Sequence, residues 1–305
     1  MAQIPVLLNQ VLEALELASP KQGEGGLSPG KFIIDGTLGV GGHAKEIIKQ
    51  ITPGGIFLGL DWDEVAVDRF EESAKELKAD SVKIILKNRN YADLPEVLKE
   101  EKLGQADGLL LDLGFSTEQL EIGRGFSFNR DEPLTMTYNA KRPPTSEILR
   151  RLKQDELERI IRDSSNERYA KRIAAAIYER EKEKPITTSG ELAEIIRRAV
   201  PRGYERGRID PATRTFMALR IYVNDEIENI EQLLQNLTKI VKSGGRIAII
   251  SFHSLEDRLV KNRFREGAKR GELKLVTKKP IRATSDEIRE NSRSRSAKLR
   301  VAEVI

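Results

Sequence analysis

The chain has 305 residues, of which 33% are charged and 39% hydrophobic, a composition that fits a globular protein with one large core and a subdomain. It contains no cysteine, which excludes disulfides, thiolate metal sites and thiol nucleophiles, and its two histidines, His43 and His253, are too few for a histidine-rich metal site. No apolar run approaches the length of a membrane span and the first residues lack a signal-peptide pattern, so we expect a cytoplasmic protein without a bound metal.

The net charge of +4 is unevenly distributed along the chain. Residues 141–210 carry 18 Lys or Arg against 13 Asp or Glu, and residues 278–300 carry eight against three. The remainder of the chain is therefore net negative. Two basic regions on an acidic body indicate an anionic partner, although long helices with solvated charges produce the same pattern.

The first 115 residues alternate apolar strands with amphipathic helices. We expect helices over residues 4–17, 43–50, 64–77 and 94–102, and buried strands over residues 32–34, 56–60, 82–86 and 107–112. Glycines, prolines and acidic residues separate these segments. Alternation of this kind predicts an α/β fold with a doubly wound, mostly parallel sheet.

The alternation stops in the middle of the chain. Residues 116–211 contain loops and helical patterns but no run typical of a strand, so we expect a helical insertion there. One long helix over residues 212–240 leads back into the sheet. The remaining strands are expected over residues 246–252, 273–277 and 299–305. The predicted domains are therefore 1–115 together with 212–305, and the insertion 116–211.

A glycine-rich turn follows the first strand. Asp35 ends that strand, and glycines follow at positions 36, 39, 41 and 42. Glycine permits the positive φ and the close backbone approach that a ligand-binding turn requires. Asp61, at the end of the second strand, lies twenty residues beyond Gly41, where an acidic side chain binds ribose hydroxyls in nucleotide-binding folds. The unit therefore predicts a cofactor that contains a nucleoside.

Two cofactor classes use a turn of this kind. A nicotinamide dinucleotide requires a diphosphate site behind G-x-G-x-x-G, whereas S-adenosylmethionine (AdoMet) methyltransferases carry an acidic residue followed by x-Gly-x-Gly-x-Gly. The segment from Asp35 to Gly41 matches the second pattern, with Thr37 in place of its first glycine. A carboxylate at the end of the strand repels a diphosphate and suits a cationic ligand, so the turn favours AdoMet over NAD.

Seven sequence motifs follow one another along the chain. They are IPVLLNQVL, DGTLGVGGH, DGLLLDLGFSTEQL, RGFSF, PATRTFMALRIYVN, GGRIAIISFHSLEDR and NSRSRSAKLR. Together they resemble the bacterial 16S rRNA cytosine-N4 methyltransferase family, with SFHSLEDR and RGFSF the most specific. The resemblance implies a class I AdoMet-dependent methyltransferase with a Rossmann-like doubly wound sheet and an inserted helical subdomain that recognises RNA. It also implies an enzyme that methylates a cytidine in the decoding region of the small ribosomal subunit.

The resemblance assigns AdoMet contacts to seven positions. These are Gly41, Gly42, His43, Asp61, Tyr91, Asp112 and Gln119. Asp61 would accept from the ribose hydroxyls, and Tyr91, where the family usually has Phe, would stack on the adenine. The same types of residue also have structural roles: Tyr91 as a loop aromatic, Gln119 as a surface residue, and His43 as a capping or core histidine.

The implied reaction is an in-line displacement in which the cytosine N4 attacks the sulfonium methyl group. The donor is already activated, so the protein supplies orientation, desolvation and a proton acceptor. The Asp/Asn-Pro-Pro-Tyr pattern of many amino-methyltransferases is absent, and Asp112 begins the segment in its place. We expect Asp112 to accept the N4 proton, with His253 and Ser251 beyond the fifth strand as second candidates, because parallel strands end at one crevice.

The implied partner is 16S rRNA in the small ribosomal subunit, with no membrane contact. The target base must be exposed or flipped to reach the pocket. Five arginines are candidates for phosphate contacts, although single arginines also serve in surface ion pairs. They are Arg124, Arg214, Arg220, Arg293 and Arg295. The resemblance is also compatible with a homodimer.

The chain departs from the family pattern on segments expected to face the substrate. Residues 135–139 lack the usual arginine and acids, and Ser165-Asn166 replaces Gly-Glu. Asp210 stands at a family histidine and Met217 at a family glutamine, and Gln3-Ile4-Pro5 replaces His-x-Pro. Two alternatives therefore stay open beside the main interpretation: an AdoMet-dependent methyltransferase of another RNA site or of a protein, and a non-catalytic RNA-binding assembly factor.

Overall fold

The computed structural model describes residues 4–17, 30–77, 81–114, 123–204 and 209–305. The chain forms two compact units: Met1–Gly114 with Glu228–Ile305, and Phe115–Ile227. No helix among the described residues is long and apolar enough to cross a membrane.

The first unit is built on a twisted sheet. Its described strands are β1 (Phe32–Asp35), β2 (Ile56–Asp61), β3 (Lys83–Asn88), β4 (Ala106–Asp112), β5 (Val241–Ser251), β6 (Leu273–Leu275) and β7 (Lys298–Val304). These seven lie in the order β3-β2-β1-β4-β5-β7-β6. All neighbours are parallel except β7, which is antiparallel to β5 and β6. The predicted doubly wound, mostly parallel sheet is confirmed, and strand order reverses between β1 and β4.

Thirteen α-helices fall within the described ranges. They are α1 (Leu8–Ala14), α2 (Gly42–Gln50), α3 (Glu64–Ala74), α4 (Leu94–Glu100), α5 (Thr145–Arg151), α6 (Gln154–Ser165), α7 (Ala170–Glu183), α8 (Ser189–Ala199), α9 (Ala212–Val223), α10 (Glu226–Gln235), α11 (Leu237–Ile240), α12 (Ser254–Lys269) and α13 (Ser285–Glu290). Short 3₁₀ helices cover Tyr91–Asp93 and Ser292–Ser296.

Both faces of the central strands are buried, which explains why they read as continuous apolar runs. Along β4, Leu109 and Leu111 pack in one core and Leu110 in the other. The same period of two sends Ile34 of β1 to the first core and Ile33 to the second. With helices over both faces, the only positions left for chemistry on these strands are their ends.

The second unit is helical over its described residues, which contain no strand beyond an isolated bridge between Pro133 and Thr188. Helices α5 to α9 surround a separate apolar core that includes Ile161, Ile173 and Leu192. Helix α9 packs against α6 and α8 in this core. It therefore belongs to the second unit, whose boundary lies at residue 227 and not at the expected residue 211.

The long helix expected over residues 212–240 is wrong, because the structure has three helices there. Asp225 has a φ of 48°, in the left-handed region, which ends α9. The preceding Asn224 is fully buried, and its amide donates to the carbonyls of Met136 (2.8 Å) and Arg220 (2.9 Å). Apolar residues keep their helical spacing through this break, so the periodicity of the sequence does not reveal where α9 ends.

Candidate active site

Three carboxylates lie side by side at the carboxyl ends of neighbouring strands. Asp35, Asp61 and Asp112 end β1, β2 and β4, and β1 pairs with both of the other strands. This edge is where strand order reverses, the position at which open α/β sheets bind ligands. The structure therefore brings together the acidic residues that the sequence singled out.

The glycine turn runs along this edge without room for side chains. Gly39 and Gly41 have φ angles of 51° and 75°, and Gly41 caps the start of α2. A Cβ at Gly41 would overlap the buried Phe70 ring, and one at Gly36 would lie 2.5 Å from Leu111. The Gly41 N–H donates to the carbonyl of Leu38 at 2.8 Å, and the next N–H groups, in the first turn of α2, have no acceptor within the helix, so they can serve as donors to a ligand.

Thr37 joins the turn to β4, a role that sequence reasoning missed. Its hydroxyl oxygen accepts a hydrogen bond from the backbone N–H of Asp112 at 2.6 Å. Glycine, which the general turn pattern of AdoMet methyltransferases has at this position, offers no such acceptor. A hydroxyl-bearing residue in a glycine-rich turn was the available signal, but the partner lies 75 residues away.

Asp61 is held by the backbone of the turn. Its Oδ2 accepts from the N–H of Gly39 at 2.8 Å, and its Oδ1 accepts from the N–H of Asp63 at 2.9 Å. Burial raises the pKa of Asp61 to about 6, although these N–H groups favour the ionised form. Each oxygen keeps a lone pair, so the carboxylate can still accept from the hydroxyls of a ribose.

Asp35 is almost completely buried, with 1% of its surface exposed. Its Oδ1 accepts from the N–H of Thr37 at 3.1 Å. Burial raises the pKa of Asp35 to about 7, although His43 acts in the opposite direction. The site therefore holds a second carboxyl group that is partly protonated near neutral pH.

Asp112 carries a hydrogen-bond acceptor that has no partner among the described residues. Its Oδ1 is buried and has no hydrogen-bond partner among the described residues, whereas Oδ2 lies 3.7 Å from Nδ1 of His43. Burial raises the pKa of Asp112 to about 7, Arg293 lowers it and Glu256 raises it. A buried oxygen without a donor is costly unless a ligand supplies one, so Asp112 marks a ligand position.

His43 lies in the first turn of α2 and is 6% exposed. Its Nε2 lies 2.9 Å from the carbonyl oxygen of Val6 and donates to it, since a carbonyl only accepts. Burial lowers the pKa of His43, and Asp35 raises it. Because both ring nitrogens face protein groups, the part of His43 that remains available to a ligand is its backbone.

Tyr91 and Gly42 flank the turn. Tyr91 begins the short helix after β3, is half-buried, and its Cβ would lie 3.1 Å from a Cβ at Gly36. Gly42 faces Pro5, whose Cγ would lie 2.7 Å from an added Cβ. Gln119, the last of the expected AdoMet contacts, lies outside the described residues.

Of the second candidates for proton transfer, Ser251 ends β5 and His253 caps the start of α12. The buried Ser251 hydroxyl donates to the carbonyl of Lys298 at 3.4 Å. His253 is the N-cap, and its Nδ1 accepts from the N–H of Glu256 at 3.4 Å. In return, Glu256 Oε2 accepts from the N–H groups of Phe252 (2.8 Å) and His253 (3.2 Å). These contacts form a capping box, which gives His253 a structural role at the start of the helix.

Three of the arginines expected to hold RNA phosphates have protein partners within the second unit. Arg220 is 7% exposed and pairs with Glu226 through Nε (2.8 Å) and Nη2 (3.0 Å). Arg124 donates to the carbonyl of Tyr138 at 3.1 Å, and Arg214 to the hydroxyl of Tyr204 at 2.7 Å. The ion pair of Arg220 explains its burial and gives it a structural role.

The remaining two candidates lie in the short helix before β7. Arg293 interacts electrostatically with Asp112, and burial lowers the pKa of its guanidinium. Arg295, two residues further on, is exposed. The charge of Arg293 thus acts on one of the strand-end carboxylates.

Comparison with known proteins found relatives that are similar over most of their length. Ribosomal RNA small subunit methyltransferase H of Persephonella marina is 43% identical over 90% of this chain and 93% of its own length. The protein of the same name from Syntrophobacter fumaroxidans is 39% identical over 98% and 95%. A SAM-dependent O-methyltransferase structure from Thermotoga maritima aligns with 100% of this chain and 68% of its own, at 11% identity and a TM-score of 0.41.

The family comparison covers the chain from end to end. The model of the MraW methylase family matches residues 1–305, and so includes both the sheet with its glycine turn and the helical unit. Since that match spans the whole sequence and relatives about 40% identical cover nine-tenths or more of it, the chain belongs to the MraW methylase family.

Proposed function

We propose that the chain transfers a methyl group from AdoMet to the exocyclic N4 of a cytidine in the decoding region of 16S rRNA. The observation that carries the proposal is the buried Oδ1 of Asp112, beside the glycine turn, which has no hydrogen-bond partner among the described residues. An acceptor at that position suits an amine that loses a proton during methylation. The names of the relatives, which are small-subunit rRNA methyltransferases, support the choice of substrate.

The residues present fit AdoMet. The backbone at Gly41, Gly42 and His43 would hold the amino-acid end, Asp61 the ribose and Tyr91 the adenine. When bound, AdoMet supplies a methyl group that is already activated on a cationic sulfonium. Buried carboxyl groups with raised pKa values suit such a ligand, because a positive charge next to them restores their ionised forms.

Asp112 orients the amine and takes up its proton. The N4 lone pair is delocalised into the cytosine ring, and an N4–H hydrogen bond to Oδ1 raises the electron density on N4 and so its nucleophilicity. As the new N–C bond forms, the S–C bond of the donor would break, its electron pair would go to sulfur, and S-adenosylhomocysteine would leave. The N4–H bond then breaks, its electron pair stays on nitrogen, and the proton joins the Asp112 carboxylate. Burial of Oδ1 keeps water from competing for this acceptor.

We further propose that the rRNA contacts exposed basic side chains at the start of α7. Arg168, Lys171 and Arg172 are exposed, and no described carboxylate lies within 4.0 Å of them. Exposed arginines on the neighbouring helices do have such partners one turn away. These pairs are Arg151–Glu147, Arg159–Asp155 and Arg198–Glu194. The basic groups at the start of α7 therefore keep their charge available for phosphates.

Aromatic rings hold two of these guanidinium groups in place. Arg168 lies 5.0 Å from the ring centre of Tyr169 and 4.9 Å from that of Tyr204, and Arg172 lies 5.8 Å from Tyr169. A cation–π contact uses the face of the guanidinium and leaves its N–H edge for phosphate oxygens. We call Arg168, Lys171 and Arg172 the α7 basic patch.

Methyl transfer from tritiated AdoMet to small subunits and to naked rRNA tests the function. N4-methylcytidine in the digested RNA is the expected product. A methyl group on another nucleoside or on a protein would instead support a methyltransferase of different specificity. AdoMet binding without any transfer would support the assembly-factor alternative, and NAD binding would support the dinucleotide alternative.

Two further expectations accompany this function. A cytoplasmic location follows from the rRNA substrate, because small subunits are assembled there in bacteria. A homodimer, which is compatible with the family resemblance, is tested by sedimentation of the purified chain.

A further inference from the structure

The tautomer of His43 is determined by the N-terminal segment. Nε2 lies 2.9 Å from the carbonyl oxygen of Val6, which accepts hydrogen bonds and cannot donate. Nε2 must therefore carry a hydrogen. In the neutral ring Nδ1 then has the free lone pair, and it is this atom that faces Asp112.

Nδ1 of His43 and Oδ2 of Asp112 form a pair of acceptors separated by 3.7 Å. Two lone pairs facing each other in a buried site repel, and a single proton between the two atoms turns this repulsion into attraction. The distance exceeds that of a direct hydrogen bond. Rotation of the Asp112 carboxyl group can shorten it, because Oδ1 has no described partner to hold the group in place.

We propose, building on the function above, that His43 and Asp112 share one proton, and that Nδ1 of His43 receives the proton that Asp112 removes from the substrate amine. Rotation of the carboxyl group first brings the protonated oxygen of Asp112 to Nδ1. Its O–H bond then breaks, an N–H bond forms on Nδ1, and the imidazole becomes an imidazolium. Neither residue is oxidised or reduced in this step. The proton later returns to Asp112, whose side chain is 25% exposed, and passes to water.

The surrounding charges agree with a temporary rather than a permanent imidazolium. Asp35 favours the cationic form of His43, but burial outweighs it and lowers the pKa of the ring. On the other side, Arg293 favours ionised Asp112 and Glu256 opposes it. An acceptor that holds a proton weakly releases it before the next turnover, which is what a relay requires.

The segment that positions Val6 is held by its own hydrogen bonds. The N–H of Leu7 donates to Glu287 at 2.7 Å, and the amide of Asn291 donates to the carbonyl of Ile4 at 2.9 Å. Residues 4–7 are thus attached to α13, and the chain continues from α13 to Arg293. The same region of the C-terminal sequence therefore influences Asp112 both through His43 and through Arg293.

Nitrogen NMR of ¹⁵N-histidine-labelled protein measures the tautomer directly, because the chain has two histidines. His253→Asn, which keeps a good N-cap residue, identifies the His43 signals. In the unliganded protein at pH 8 we expect hydrogen on Nε2 and none on Nδ1. Hydrogen on Nδ1 would overturn the inference.

Sharing of the proton is tested by Asp112→Asn. Loss of the anionic neighbour should lower the pKa of His43 by on the order of one unit. Asp61→Asn is the matched control, since it removes a carboxylate of the same row that has no contact with His43. Equal His43 titrations in the two variants would overturn the inference.

The role in turnover is tested by His43→Gln. Glutamine places its amide N–H where Nε2 lies and keeps the bond to Val6. Asparagine is unsuitable, because it places an acceptor near Nδ1 and loses that bond. We expect H43Q to unfold at the wild-type temperature, to bind AdoMet with little change in Kd, and to lose about tenfold to hundredfold in kcat with a shifted pH profile.

The proposed function and the proposed proton relay can be refuted separately. A wild-type protein that transfers no methyl group to cytosine N4 would refute the proposed function and leave the NMR result unaffected. A wild-type protein that transfers the methyl group, together with an H43Q variant of unchanged kcat and pH profile, would refute the relay alone.

Discussion

The free energy of unfolding depends on pH through single buried carboxyl groups at the strand ends. The pKa of Asp35 is raised in the folded protein to about 7 from an ordinary value of 3.8, so the folded state binds the proton more tightly than the unfolded chain. Its stabilising contribution is complete below the unfolded pKa and is lost as the pH rises towards 7. At neutral pH the buried Asp35 carboxyl group therefore destabilises the folded state.

Asp35→Asn should accordingly stabilise the protein, and more so at higher pH. The amide oxygen can still accept from Thr37, while the cost of a buried charge disappears. We expect the gain in unfolding free energy, measured with urea, to be larger at pH 8 than at pH 5.5 by about 1–2 kcal/mol. Asp286→Asn, at a side chain 77% exposed, is the control. An equal gain at both pH values would contradict the buried-charge explanation.

The same carboxyl groups predict how AdoMet affinity depends on pH. Asp35 and Asp112 have pKa values of about 7 and Asp61 of about 6, so acid neutralises the site. Calorimetry should show AdoMet binding more tightly at pH 8 than at pH 6, by about threefold to tenfold. S-adenosylhomocysteine, which lacks the sulfonium charge, should respond less. An identical response of both ligands would show that the row of acids does not sense that charge.

Among the structural elements, the glycine turn has the least tolerance for change. Gly41 combines a φ of 75° with a Cβ position that overlaps Phe70, whereas Gly54 has a φ of 79° and open space around it. The two positions thus differ in packing and share their backbone conformation. Comparing them separates the cost of a side chain from the cost of the left-handed backbone.

Gly54→Ala should cost about 1 kcal/mol of unfolding free energy, the usual penalty of this conformation, and Gly41→Ala about 2–4 kcal/mol. Urea unfolding of both variants provides the measurement. Equal losses would mean that the Phe70 ring moves aside at little cost. AdoMet affinity should fall in Gly41→Ala only, because Gly54 follows α2 and lies away from the turn.

The start of α7 is the element on which RNA affinity is predicted to depend. Substituting Arg168, Lys171 and Arg172 by Gln should reduce the salt dependence of binding to an rRNA fragment, by roughly 0.7–0.9 in slope per lost phosphate contact. The control triple R151Q, R159Q and R198Q removes the same charge from arginines that pair with carboxylates. Equal slopes in the two triples would assign the effect to net charge and not to the α7 basic patch.

For the molecule as a whole, two of the departures from the family pattern coincide with internal contacts of the second unit, whereas Gln3 of another lies outside the described residues. Tyr138, in the altered segment 135–139, stacks on Phe126 at 5.4 Å between ring centres, and its hydroxyl donates to Glu226 at 3.0 Å. Asp210 accepts from the N–H of Ala212 at 2.8 Å and pairs with Arg197. Tyr138 and Asp210 thus contribute to the packing of the second unit.

Much of the first unit could be read from local patterns. Apolar runs, glycines and strand-end acids are properties of neighbouring residues, and they located β1, β2 and β4 with Asp35, Asp61 and Asp112. Helix ends were less predictable: α1 spans only Leu8–Ala14 because Leu7 and Glu16 adopt positive φ angles. The α7 basic patch was missed because a sequence does not show which exposed charges have partners.

By itself, the sequence determined the fold class, the family and the row of strand-end acids, because burial and turn formation act over a few neighbouring residues. Tertiary structure alone decided the tautomer of His43, the bond from Asp112 to Thr37 and the burial of Arg220. The partners in the first two contacts lie 37 and 75 residues apart. A hydrogen bond depends on where two groups meet in space, and for residues this far apart only the folded chain brings them together.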